Sequence, residues 1–263
     1  MTSVADISSY MDGFAPPNLA EEWDNTGLLV GDRQSAVRRL MTCLTITPES
    51  AGEAVADQAD LIVAHHPLPF RPLNRITSDD PAGRLLLSLI EARIAVISPH
   101  TSFDSAPEGI NRMLADRLGL EQPRPLVPAS PEDPDCGAAR LATLDPAIPL
   151  ARFLETAKSA FGMSAVRYVG DPQRMVRTVA LACGSGGSFL ETAGQAGCDT
   201  MVTGEATFHT CLAARAAGLG LVLLGHHNSE RFAVEALADR LGRDFPDLQC
   251  WASRREADPI LVG

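Results

Sequence analysis

The feature that most constrains this chain is a rhythm. Short apolar runs of strand type alternate with amphipathic helical stretches along nearly its whole length. "TGLLVGD" and "RLMTCLTIT" read as strands, and "PESAGEAVADQA" reads as a helix opened by a proline. "DLIVAHH" and "RIAVISPH" are further strands flanking the helical "AGRLLLSLIEA", and "PEGINRMLADRLGL" is a helix with Ile110, Leu114 and Leu118 on one face. After residue 150 the pattern resumes with helix "LARFLETAKSAFG", strands "AVRYVG" and "RTVALACG", helix "SFLETAGQAG", strand "DTMVTGE", helix "FHTCLAARAAG" and strand "LGLVLLGHH". The closing helix is "SERFAVEALADRLGRDF", with Ser229 as its expected N-cap. Alternation of this kind predicts an α/β fold with mixed, mostly parallel sheets.

The rhythm breaks once. From Pro123 to Pro149 the chain carries seven prolines among Asp and Ser residues, the composition of a boundary. The expected organisation is a first α/β domain of residues 1–122 plus 225–263, a Pro-rich connection at 123–149, and a second α/β domain of 150–224. With 45% hydrophobic residues in 263, there is material for a core in each.

Charge and hydropathy exclude several classes. The formal net charge is −11, which argues against non-specific nucleic-acid binding, because phosphates need a basic footprint. No stretch approaches about 18 consecutive apolar residues, so no membrane span is expected. The N-terminus reads as an amphipathic helix (Val4, Ile7, Met11, Phe14) rather than a signal peptide. The six cysteines form no CxxC pair. They read as buried free thiols in a reducing cytoplasm rather than a disulfide framework or zinc knuckle.

The histidines carry the chemistry. Five of the six, His65, His66, His100, His226 and His227, follow an apolar strand, and His209 falls inside a helix. In open α/β sheets, ligands bind beyond the carboxyl ends of strands. Asp104 follows His100 by four residues, and Glu230 follows His226 by four. A single such histidine is more often a surface or core residue than a ligand. Asp104 alone reads equally as a turn or capping residue, and Glu230 as a first-turn acid favoured by the helix dipole. Three strand ends with histidine, two followed by a carboxylate, tip the balance to a metal site. The nitrogen–oxygen ligand mix suits Zn, Mn, Fe, Co or Ni. Neighbouring residues of an extended strand point to opposite sides, so His65 and His66 are expected to diverge and serve one ion each. A carboxylate such as Asp104 or Glu230 can bridge two ions. The expectation is two divalent metal ions per chain.

Taken together, "EEWDNTGLLVGD", "ADLIVAHHPLPF", "ISPHTSFDSAPEGINRMLADRLGL", "VALACGSGGSFLETAGQAGCDTMVTGE" and "GLVLLGHHNSERFAVEALADRL" resemble the NIF-three-like family of dinuclear-metal proteins, often described as GTP cyclohydrolase I type 2-like. The resemblance spans nearly the whole chain outside the proline-rich middle and is to the short form without the middle insert. It implies metal ligands at His65, His66, Asp104, His226 and Glu230, with His100 as a further ligand or a neighbour of the ligands. It also implies two α/β domains with the metal site in the interdomain cleft, and a toroidal homo-hexamer. Pro99, Ser102, Phe103, Arg112 and His227 depart from the family pattern; none is a ligand.

Three other motifs stand out. "CGSGGS" at 183–188 is either a tight strand–helix turn or a set of backbone amides facing an anion. "WDNTG" at 23–27 is a turn, or with the resemblance a lining of the site. "TGE" at 203–205 ends a strand, bringing Glu205 towards the site. The expected activity is metal-dependent hydrolysis of a nucleotide-like or phosphorylated small molecule, with Glu230 bridging the ions and His100 relaying a proton. The family description implies opening of the GTP guanine ring as one version. The alternative is a non-enzymatic metal-handling or regulatory hexamer.

Overall fold

A computed structural model describes residues 1–262. The elements in chain order are α1 (Val4–Phe14), β1 (Gly27–Val30), β2 (Arg39–Cys43), α2 (Pro48–Ala56), β3 (Leu61–Ala64), α3 (Pro81–Glu91), β4 (Ala95–Ser98), α4 (His100–Ser105) and α5 (Ile110–Arg117). Then follow β5 (Glu121–Pro128), β6 (Gly137–Pro149), α6 (Leu150–Phe161), β7 (Arg167–Val169), β8 (Met175–Ala182), α7 (Leu190–Gln195), β9 (Thr200–Thr203), α8 (Phe208–Ala216), β10 (Gly220–Leu223), α9 (His226–Asp244) and β11 (Gln249–Ala252). Among the described residues no helix is long and apolar enough to cross a membrane.

Helices start where the sequence supplies caps. Ser3 and Asp6 form a capping box on α1, Thr47 and Ser50 form one on α2 ahead of Pro48, and Asp80 caps α3 ahead of Pro81. Two helices depart from expectation. The sequence pattern does not announce α4, and α9 begins at His226, three residues before the expected cap. Ser229 is therefore inside the helix, where its hydroxyl donates to His226 O at 2.8 Å.

The chain divides into two compact units, residues 1–103 with 231–259, and residues 104–230 with the tail from Ile260. The division falls within α4 and within α9. The first unit holds a five-stranded sheet in the order β1-β4-β3-β2-β11, parallel except for the β1–β4 pair. Every residue of β3 and β4 is buried, as expected of parallel strands covered on both faces. Met41, Ile62, Leu89 and Val96 form the centre of its core.

The second unit holds a six-stranded sheet in the order β5-β6-β8-β9-β10-β7. β8, β9 and β10 run parallel, and the other pairings are antiparallel. Both sheets are mixed; parallel pairing dominates only the first. Its core centres on Leu141, Ala180, Met201 and Leu221.

The proline-rich segment is not a connection. Most of 123–149 lies in β5 and β6, inside the second unit. The prolines are accommodated because β5 is an edge strand, where a missing N–H leaves no ladder bond unmade on the open side. Pro146 and Pro149 fall where the β6–β8 register shifts, between Thr143 and Ile148, or at the strand's end.

Candidate metal centre

In the first unit, the site is built where β2, β3 and β4 end. The amides of His65 and His66 still bond to Cys43 O and Leu44 O at 2.9 and 2.8 Å, but the residues lie just beyond β3. There the chain has left strict alternation. The two rings therefore do not diverge: their centroids are 5.0 Å apart, and that of His100 is 5.2 Å from His65 and 5.6 Å from His66. One donor atom from each of His65, His66 and His100 lies within 4.8 Å of the other two. The expected divergence of adjacent histidines is thus overturned, and adjacency does not by itself assign one ring to each ion.

The far sides of two of the rings are held by the protein. His100 Nδ1 bonds Asp24 Oδ1 at 2.6 Å, and His66 Nδ1 meets Thr45 Oγ1 at 2.7 Å. A carboxylate acceptor places the proton on His100 Nδ1 and leaves Nε2 as its lone-pair donor. Asp24 also accepts from Thr101 N–H at 3.1 Å and from the Thr101 hydroxyl. Burial alone would raise the Asp24 carboxyl, but hydrogen bonds from His100 and Thr101 outweigh it and hold it at about 2. His100 itself has a positive φ of 34°, a conformation costing a non-glycine residue on the order of 1 kcal/mol or more. Bonds from Asp24 to both His100 and Thr101 secure it. Further out, buried Glu256 accepts from the amides of Leu44 (2.8 Å) and Thr45 (2.5 Å) and pairs with Arg231, fixing the turn that carries Thr45.

In the second unit, α9 carries His226 and Glu230 one turn apart, with Nε2 and Oε2 3.1 Å apart. The other ring nitrogen of His226 lies 3.1 Å from Glu205 Oε1. The bond to Glu230 raises the His226 imidazolium most, burial opposes it, and Glu205 adds to the rise, leaving it at about 9. Glu230 is buried, with a side-chain exposure of 3%. Asp104 accepts from the Cys183 thiol at 3.1 Å. Burial first, then the Asp104 and Glu230 charges, push that thiol well above its ordinary value. Asn111 ties this corner together, accepting from Cys183 N–H at 2.7 Å and donating to Asp104 O at 3.2 Å.

The glycine-rich turn is explained by packing. Gly184 has φ +56°, and a Cβ there would run into the Glu230 carboxylate and the His226 ring. The amides of Gly184 and Gly186 donate internally, to Ser229 Oγ and Thr203 Oγ1, both at 3.0 Å. They are engaged within the fold rather than offered to an anion, which favours the tight-turn reading. His227 belongs to no donor group among the described residues, and His209 is an exposed helix residue beside Phe208.

A family model for Duf34/NIF3 (NGG1p interacting factor 3) matches residues 2–259. The chain belongs to the DUF34/NIF3 family. It is 33% identical to a GTP cyclohydrolase 1 type 2 homolog of Clostridium perfringens over 97% of both chains. It is 34% identical to Protein NIF3 homolog of Schizosaccharomyces pombe over 99% of both. Among solved structures, a Staphylococcus aureus hypothetical protein matches with a TM-score of 0.90 at 26% identity, covering 99% of each chain.

For this DUF34/NIF3 chain, the residues present fit divalent transition ions. Three imidazoles with donors close together, two of them braced through Nδ1, match the way metal-binding histidines are oriented by outer partners. Within the second unit, the buried carboxylate of Glu230, with space kept for it by Gly184, is an anionic oxygen donor of the kind such ions take. Sequence reasoning missed Asp24 and Thr45 as braces and Cys183 as the donor to Asp104. Asp24 lies inside "WDNTG", read as a turn or a lining of the site, but its partner is 76 residues away and no local pattern names it.

Proposed function

We propose that the chain is a dinuclear metal-dependent hydrolase acting on a nucleotide-like or phosphorylated small molecule. Its ions would be held by His65, His66, Asp104, His226 and Glu230, with His100 beside them. The observation that carries the reading is the braced histidine triad, in which donor atoms of His65, His66 and His100 lie within 4.8 Å of one another. Divalent ions bound there supply Lewis acidity and acidify water for attack. Asp24 fixes the tautomer of His100, so its Nε2 is offered either to an ion or to a proton in transit. Glu230 and Asp104 supply the negative charge that two cations require. The Clostridium perfringens relative's name supports a GTP ring-opening version of this chemistry, and the family resemblance supports assembly as a homo-hexamer.

The test begins with metal content per chain in wild type, His65→Ala and His66→Ala, followed by a mass-spectrometric screen of GTP, other nucleotides and phosphoesters. Light scattering gives the assembly state. Two ions in the wild type, fewer in each variant, and turnover lost in Glu230→Gln are the expected results. Full metal content in both histidine variants would refute the ligand assignment. Two firmly held ions with no turnover would favour a metal-handling role.

A further inference from the structure

Two of the largest aromatic side chains of the first unit are left in solvent beside the histidine triad. Trp23 is 61% exposed and Phe70 48% exposed. Their ring centroids are 6.0 Å apart and tilted by 52°. Each also stands 6.0 Å from the His100 ring, nearly perpendicular to it at 76° and 81°. Exposed aromatic residues are not unusual singly, but a contiguous pair at the rim of a polar cluster calls for an occupant.

The wall is built rather than loose. Asn25 Nδ2 donates to Pro69 O at 2.7 Å, tying the loop that carries Trp23 to the loop that carries Phe70. Asp24, between Trp23 and Asn25, is bonded to His100 and Thr101. The backbone on both sides of the wall is therefore anchored to the residues that brace the triad. A 6.0 Å separation at this tilt is too tight for a ring to be sandwiched between the two. It does form a corner, in which a flat ligand can stack on one ring and meet the edge of the other. His100 at the foot of the corner gives a polar group to the ligand's rim.

We propose that Trp23 and Phe70 form a stacking corner that selects a substrate with a planar, nitrogen-rich heteroaromatic ring such as a purine base, and presents the edge of that ring to the histidine triad. The inference rests on the proposed small-molecule site and names its substrate class. Aliphatic sugar phosphates lack the flat face this corner reads, so the base rather than the phosphate supplies the discrimination.

The test uses the full-length, zinc-loaded protein with metal content measured for every variant. The chain has two tryptophans, Trp23 and Trp251, so Trp251→Phe leaves Trp23 as the only indole reporter. Guanosine monophosphate is expected to quench Trp23 emission saturably, while ribose 5-phosphate leaves it unchanged. Equilibrium dialysis in the otherwise native protein is expected to show binding weakened roughly 5- to 100-fold by Trp23→Leu and by Phe70→Leu, with metal content intact. Trp23→Phe, which keeps a flat face, is expected to retain most of the affinity.

Three results would overturn the corner. The first is no response to guanosine or adenosine monophosphate in a protein holding its full metal content. The second is wild-type affinity in Trp23→Leu. The third is Trp23 emission that changes with protein concentration but not with nucleotide, which would make the wall a contact between copies of this chain. Nucleotide binding through Trp23 and Phe70 in a protein that holds no metal would refute the ion reading and leave the corner standing.

Discussion

Asp24→Asn changes one oxygen to an amide nitrogen and is expected to weaken metal binding out of proportion to its size. The Asp24 side chain has no exposed surface. One of its oxygens accepts from His100 Nδ1 at 2.6 Å, and the other accepts both the N–H and the hydroxyl of Thr101. An asparagine has a single acceptor oxygen. If that oxygen faces Thr101, the amide NH2 faces His100 and drives its proton to Nε2, removing the lone pair needed by an ion. If it faces His100, an NH2 group confronts the Thr101 N–H. Either the tautomer of His100 or the bond to the Thr101 N–H is lost. The carboxyl is held at about 2 against an ordinary 3.8, so the environment favours the charged form by about 2 kcal/mol. Removing an outer partner of a metal-binding histidine typically costs ~10–100-fold in affinity. Zinc affinity, measured by competition with a fluorescent chelator at neutral pH, is expected to fall within that range. Wild-type zinc affinity together with wild-type thermal unfolding would refute the role given to Asp24.

Other perturbations have definite signs. Gly184→Ala places a Cβ against Glu230 and His226 at a positive φ; metal per chain is expected to drop while circular dichroism stays native. Arg140 is buried and donates to the carbonyls of Gly137 and Ala106 at 2.6 Å and of Ala139 at 2.9 Å, and burial lowers its pKa to about 10. Arg140→Met strands these acceptors and is expected to cost at least about 2 kcal/mol in denaturant unfolding. Burial would raise the Glu53 carboxyl, but hydrogen bonds from Ser253, Arg254 and Arg255 hold it below 4.5. Its folded value is thus lower than its unfolded one, so its contribution is complete above 4.5 and is lost as pH falls through the folded value. Thermal unfolding from neutral to acid pH is expected to show this loss in wild type and to show less of it in Glu53→Gln.

Much of the fold was legible because it is local. The helix opened by Pro48 forms as read, and the apolar runs at 61–64, 95–98 and 220–223 are buried strands. The histidines stand at strand ends, as their positions after those runs implied. The proline-rich segment misled because composition does not reveal sheet position: an edge strand tolerates prolines that a central one would not. Ser229 misled because a good cap residue can equally serve inside a first turn, here as the partner of Gly184 N–H.

The sequence by itself determined the α/β periodicity, the residue types available for metal chemistry and the likeness to the DUF34/NIF3 family, since each depends on neighbours along the chain. Tertiary structure decided what those residues do. It turned His65 and His66 to the same side, placed Asp24 behind His100 across 76 residues and set Thr45 against His66. It also reserved space at Gly184 for Glu230 and left Trp23 and Phe70 exposed beside the triad. Such pairings depend on where strands end in three dimensions, and strand or helix periodicity carries no information about partners so distant in the chain.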